Sequence, residues 1–172
     1  MHRMTVVTGF SGAGKTTLCM DLLRGRDPRD GPVAYVHVRG MMYEEARHEG
    51  YRTPHTYVLL RGMAGLRTRI ADTLSSMMER SDVIADGMYD KRLFGEIVRR
   101  HGDMVDTVCL ELGFLERLKR ARGRGTGIPL FLLNDTLKFM YGTRVVMREA
   151  KSMRTPPMQT NASWHTRPQA RL

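Results

Sequence analysis

A three-layer α/β sandwich with a mainly parallel sheet and a basic lid is the fold class that this sequence predicts, on three observations. Short apolar runs alternate with longer segments of helical spacing, the pattern of βα units whose crossovers cover both faces of a parallel sheet. The first run, Thr5-Val6-Val7-Thr8, leads directly into Gly9-Phe10-Ser11-Gly12-Ala13-Gly14-Lys15-Thr16, a glycine-rich passage from strand to helix. The 172 residues, 41% of them apolar, suffice for one sizeable core and force no second domain.

The elements follow in order. Strands are expected over 4–8, 33–38, 82–86 and 107–111, and helices over 15–23, 57–80 and 91–100. In the long middle helix Leu59, Leu60, Met63, Leu66, Ile70, Leu74, Met77 and Met78 recur at spacings of three and four, so one stripe is expected to face the core, weakened locally by Gly62 and Gly65. After the breaker Pro129, a second stripe of Leu133, Leu137, Met140 and Tyr141 runs up to Gly142, and 145–147 is expected to add a final strand. The fourteen methionines fit these positions as adaptable core filler. Beyond about residue 152 the chain carries Pro156-Pro157 and no periodicity. This divides it into a folded domain over 1–150 and a basic tail over 151–172 with little structure of its own.

Several function classes are excluded by composition. No apolar run approaches the roughly 20 residues needed to span a bilayer, and the first residues enter a strand with no room for a signal peptide, so a cytoplasmic protein without a membrane partner is expected. Cys19 and Cys109 have neither disulfide-framework nor metal-ligand spacing and read as small buried residues. The net charge is +10, yet residues 1–115 hold 16 Lys and Arg against 15 Asp and Glu, whereas 116–172 hold 12 against 3. A basic region of this kind attracts polyanions, nucleic acid above all, although anionic small substrates and ATP use part of it and a solvated basic surface needs no partner. Tyr89, Tyr141 and Trp164 are candidates for stacking on bases.

The glycine-rich loop carries the chemistry. Backbone N–H groups from Gly9, Ser11, Gly12, Ala13, Gly14, Lys15, Thr16 and Thr17 can curl around phosphates, with the positive end of the following helix behind them. Lys15 can reach the β- and γ-phosphates of ATP, and the Thr16 hydroxyl can ligate Mg²⁺. Phosphoryl transfer also needs an acid near the metal or the acceptor hydroxyl, and cations on the moving group. Asp86 ends the third strand before Gly87, at the carboxyl edge where open α/β sheets bind ligands. It can hold Mg²⁺, act as general base, or merely cap the next helix. Arg117, Lys119, Arg120, Arg122 and Arg124 cluster around glycines 123, 125 and 127, a composition suited to a hinged lid closing over ATP or to a solvated helix end.

The stretch Lys119-Arg120-Ala121-Arg122-Gly123-Arg124-Gly125-Thr126, followed by Ile128-Pro129 and Met140-Tyr141, resembles the lid and following helix of bacteriophage polynucleotide kinases, P-loop enzymes that phosphorylate 5′-hydroxyl ends of DNA or RNA. The order of parts over most of 1–150 is similar too. The resemblance implies that Lys15 and Thr16 hold ATP and Mg²⁺, that Arg120 and Arg124 clamp phosphates, and that Arg39, Tyr43 and Glu44 border the acceptor. One departure stands out. Where the family places its general-base aspartate after the second strand, this chain reads Val38-Arg39-Gly40-Met41-Met42-Tyr43-Glu44-Glu45. Either Asp86, Glu44 or His37 takes the proton, or the acceptor is something other than a sugar 5′-hydroxyl. Related P-loop kinases act in DNA hypermodification, so a hydroxymethylated base such as 5-hydroxymethyluracil in phage DNA is an alternative acceptor. The expected function is an ATP- and Mg²⁺-dependent kinase acting on nucleic acid, DNA favoured. The rivals are a small-molecule or nucleotide kinase and a non-catalytic, nucleotide-dependent DNA-binding module.

Overall fold

The computed structural model describes residues 2–153. Four parallel strands, β1 (Met4–Thr8), β2 (Val33–His37), β3 (Asp82–Asp86) and β4 (Val105–Cys109), form one sheet in the order β2-β3-β1-β4. Parallel strands need crossovers, and helices supply them: α1 (Lys15–Arg24), α2 (Val38–His48), α3 (Pro54–Arg61), α4 (Ala64–Met78) and α5 (Lys91–His101), while α6 (Phe114–Gly123), α7 (Ile128–Met140) and α8 (Thr143–Ser152) follow the last strand. Because successive strand side chains point to opposite faces, each strand feeds two cores. Met4, Val6, Val83 and Ala85 pack on one face with α2, α4, α5 and α8, through Met42, Leu66, Ile70, Leu74, Phe94, Ile97 and Val146. On the other face Val7 and Ile84 meet Cys19, Leu18 and Leu22 of α1. The three-layer α/β sandwich is therefore the fold.

Four expectations are corrected and one helix is added. The helix expected over 57–80 is two, α3 and α4, because Gly62 closes α3 at φ +77°, a conformation that strains residues with a Cβ. With the phase broken there, Leu59 and Leu60 leave the core stripe and stand 84% and 65% exposed, while Leu66, Ile70 and Leu74 keep it. The strand expected at 145–147 is part of α8, whose buried residues Thr143, Val146, Met147 and Ala150 follow a helical repeat that three residues could not reveal. The stripe of α7 also faces elsewhere. Phe131 is buried while Leu133 and Met140 are 55% and 73% exposed, so the inward line runs through Phe131, Asp135 and Lys138 at i, i+4 and i+7. Finally, β4 lies two residues earlier than 107–111, and α2 begins immediately after β2 although no helix was expected there.

Burial suits the two cysteines as small core residues: it pushes the Cys19 thiol up to about 12 and raises that of partly buried Cys109. Such thiols are unreactive near neutrality. No described helix is long and apolar enough to cross a membrane. The last part of the predicted tail, 154–172 with Trp164, lies outside the described residues.

Candidate active site

The loop between β1 and α1 is shaped by three glycines at positive φ, Gly9 (+146°), Gly12 (+79°) and Gly14 (+95°). Space as well as angle demands them: a Cβ on Gly9 would sit 2.6 Å from the Leu110 carbonyl oxygen, and one on Gly12 would sit 2.9 Å from that of Arg117. Gly14 ends the loop as the residue before α1, with no side-chain cap, so the first N–H groups of α1 remain for a ligand. Lys15 donates from Nζ to the Phe10 carbonyl oxygen at 2.9 Å, folded over the loop, and burial lowers its pKa against the opposing pull of Asp86.

Asp86 is 1% exposed at the end of β3. The Thr16 hydroxyl donates to its Oδ2 at 2.6 Å, and the Tyr35 hydroxyl donates to the same oxygen at 2.9 Å. Burial and the neighbouring carboxylate raise the Tyr35 pKa, keeping the phenol a donor. Capping of the next helix falls to Asp90, which accepts from Arg92 N–H and Leu93 N–H and is paired with Arg67 at 3.0 Å. Glycines that clear the loop of side chains, and a hydroxyl beside a buried carboxylate, fit a polyphosphate with Mg²⁺, since this cation prefers hard oxygen donors. Thr16 would hold the metal and Asp86 would hold it directly or through water.

The basic segment divides into two populations. Arg117 is 7% exposed and lies against the rings of Phe10, Phe114 and Phe131, with 5.1, 5.6 and 5.7 Å from guanidinium carbon to ring centroid. It donates to the Ser11 carbonyl oxygen at 3.2 Å and pairs with Asp135, which itself accepts from Ser11 N–H at 3.2 Å. This arginine ties α6 and α7 to the loop and is not free to move with a lid. Arg120 and Arg124 are exposed and, with Lys119, form the far wall of a cleft of about 610 Å³ whose near wall is Gly12, Gly14 and Thr17. Arg120 Nη1 stands 3.7 Å from where a Gly14 Cβ would lie, directly over the loop. Gly125, at φ +74°, turns the chain between α6 and α7.

Across the carboxyl edge, Arg39, Tyr89, Asn134, Lys138 and Tyr141 line a small pocket. The Arg39 guanidinium lies over the Tyr43 ring at 5.8 Å, and the Tyr89 and Tyr141 rings form a tilted pair at 5.8 Å. Glu44 and His37 are exposed on and before α2, with no hydrogen bond or ion pair to the other site residues. Among the expected residues, then, Lys15, Thr16, Asp86, Arg120 and Arg124 converge on the loop, and Arg39 with Tyr43 forms the opposite side. Sequence reasoning missed Asp135 and Lys138, and the available signal was their spacing from Phe131.

No protein-family model and no curated protein matches this chain. Solved structures do. A chain of the Pnkp1/Rnl/Hen1 RNA repair complex aligns over 98% of this chain and 53% of its own length, at TM-score 0.55 and 13% identity. A second structure of the Pnkp1/Rnl/Hen1 complex gives 69% and 39%, at TM-score 0.50 and 16% identity. Shikimate kinase from Bacteroides thetaiotaomicron aligns over 87% of this chain and 82% of its own, at TM-score 0.52 and 21% identity. This chain thus spans about half or less of the Pnkp1/Rnl/Hen1 chains that it matches. At these identities the likeness establishes the fold, that of P-loop kinase structures such as shikimate kinase.

Proposed function

We propose that this chain is an ATP-dependent kinase that transfers the γ-phosphoryl group to a hydroxyl on nucleic acid. The observation that carries it is the convergence of Lys15, the Thr16–Asp86 pair and Arg120 around a glycine loop that leaves a side-chain-free cradle. Mg²⁺, when bound, neutralises charge on the β- and γ-oxygens. The residues do the rest: loop N–H groups and Lys15 fix the polyphosphate, Asp86 and Tyr35 orient Thr16, and Arg120 and Arg124 approach from the opposite wall as α6 and the turn at Gly125 close. A loose transition state asks little of a base, because the acceptor oxygen has formed little bond to phosphorus before the leaving group departs. That is consistent with a chain having Gly40, Met41 and Met42 where a carboxylate was expected, and with Asp86 already accepting two hydroxyl bonds.

Nucleic acid is favoured as acceptor by charge. Nine of the ten net positive charges lie in 116–172, and Arg67, Lys91 and Arg92 border a second cleft of about 530 Å³ that shares Tyr141 with the acceptor-side pocket. The acceptor is a 5′ end or a hydroxymethylated base in DNA. A small-molecule acceptor is the second reading, favoured by the likeness to shikimate kinase along 82% of that chain. A salt titration of oligonucleotide affinity separates them. Several phosphate contacts make affinity fall steeply with salt, whereas a flat titration, or no oligonucleotide binding, selects the small-molecule reading.

A further inference from the structure

We propose that Lys138 is a second phosphate-directed lysine of this site, delivered by α7 to the terminal phosphoryl group beside Lys15. The inference rests on the nucleotide-binding reading above and adds a residue that neither the loop motif nor the lid supplies. The first support is the inverted face of α7: Leu130, Leu132, Leu133, Phe139 and Met140 are exposed, whereas Asp135 and Lys138 line up inward behind Phe131. Helices of soluble proteins hide apolar residues and expose charge, so a helix that turns its lysine inward is placing that charge.

The surroundings say what the charge meets. The Lys138 amine lies 6.0 Å from the Tyr89 ring centroid, in the pocket that Arg39 also lines, close enough to Lys15 for the two charges to act on each other. Of the opposing charge nearby, Asp135 is shared with Arg117 and Ser11 N–H, while Asp86, accepting only from the neutral Thr16 and Tyr35 hydroxyls, keeps its pull on Lys15. Burial, with Lys15 and Arg39 adding repulsion against the pull of Asp135, drives the Lys138 pKa down to about 7. Lys15, Lys138 and Arg39 beside Asp86 and an already shared Asp135 leave an excess of positive charge that an anion of more than one charge would offset. The approach direction selects the phosphate. Lys15 comes from the loop side, and Lys138 comes from the acceptor side with Arg39, where the γ-phosphoryl group is outermost. Asp135, one turn before Lys138, is bonded to Ser11 N–H, so the loop itself fixes the reach of α7 and lid closure is not required.

In the transfer the acceptor oxygen bonds to phosphorus and the bond from phosphorus to the β–γ bridging oxygen breaks. ADP leaves with the electron pair, and the acceptor proton passes to solvent. Lys138, charged by the incoming phosphates, donates hydrogen bonds to the moving oxygens and exchanges no proton with the acceptor. The test is calorimetric binding of MgATP and MgADP to wild type, Lys138→Met, Lys138→Gln and Lys138→Arg, with thermal melts of each. The inference expects Met and Gln variants that melt no lower than wild type, since a crowded cation is gone. They should keep ADP affinity within about twofold and lose on the order of tenfold in ATP affinity, the scale of one charged hydrogen bond, with Arg recovering most of it. Equal losses for ATP and ADP, or no loss for either, overturn the assignment. A wild-type protein that binds neither nucleotide overturns the underlying reading and this inference with it, a result distinct from both.

Discussion

The nucleotide side of the site and its acceptor side are built by opposite means. On the nucleotide side one continuous segment, 9–17, supplies glycine geometry, Lys15 and Thr16, and distant Asp86, with Arg120 and Arg124 on the facing wall, completes it. What the loop itself offers a ligand is largely backbone N–H groups, which any sequence provides once the glycines allow the turn. The acceptor side takes Arg39 and Tyr43 from α2, Tyr89 from the loop after β3, and Asn134, Lys138 and Tyr141 from α7 and its end. Every group there is a side chain, and each is placed by tertiary packing. The difference explains why a fold can keep one phosphate chemistry while its acceptors vary: backbone cradles are generic, and side-chain pockets are rebuilt.

Breaking the nucleotide side should have the largest effect. Lys15→Ala is expected to reduce phosphoryl transfer by at least about 10³-fold, the upper range for one preorganised charged donor, while a thermal melt shows the fold retained. Next comes Arg117, whose neighbours make it a structural counterpart to the lid arginines. Arg117→Ala leaves the largely buried Asp135 carboxylate with only its Ser11 N–H bond, which should cost about 3 kcal/mol in urea unfolding, the lower end for a broken buried pair. Arg124→Ala should do the reverse, leaving unfolding unchanged and lowering kcat by about 10²-fold with little change in KM, because the contact acts on the moving charge. If the two arginines exchanged these phenotypes, the division of the basic segment would be wrong. Asp86→Asn keeps the size and the hydroxyl contacts but removes the charge. It should cut kcat comparably, by about 10²-fold, and weaken the response to Mg²⁺ titration.

The smallest effect is a pH dependence that sharpens the acceptor side. Lys138 titrates near 7 in the free protein and close to the ordinary lysine value when unfolded, so between those limits the unfolded chain binds more protons. Its contribution therefore makes the empty protein gain stability as pH rises from about 7 toward 9, with the full penalty present below that window. Phosphates favour the charged amine, so ATP affinity should fall over the same rise. Melting curves and ATP titrations from pH 6.5 to about 9, in wild type and Lys138→Met, check both trends. Both slopes should flatten in the variant.

Local signals explain which parts were readable in advance. Strands β1 and β3 match their expected bounds because each is a short apolar run with clear punctuation, and the loop was readable because its function depends on residue identity at fixed spacing. Helix α2 has no such signal: Gly40 sits in its first turn, and its mixed Met-Met-Tyr-Glu-Glu-Ala segment buries Met41, Met42 and Ala46 only because the sheet presents a surface there. The face of α7 was misassigned because apolar periodicity assumes that the core lies inward, and here the inward partners are Arg117, Ser11 and Lys15. The same cause hid Asp135 and Lys138. A charged residue on the functional face of a helix looks, in sequence, like an ordinary solvated one.

The most direct measurement is transfer of labelled γ-phosphate from ATP, with Mg²⁺, to a panel of 5′-hydroxyl DNA and RNA oligonucleotides, DNA bearing hydroxymethylated bases, free nucleotides and small alcohols. Label should appear in at least one nucleic acid, disappear with Lys15→Ala, and decline as salt is raised. Label found only in a small alcohol or a free nucleotide would contradict nucleic acid as the acceptor, and ATP bound tightly with no acceptor labelled would contradict the kinase itself.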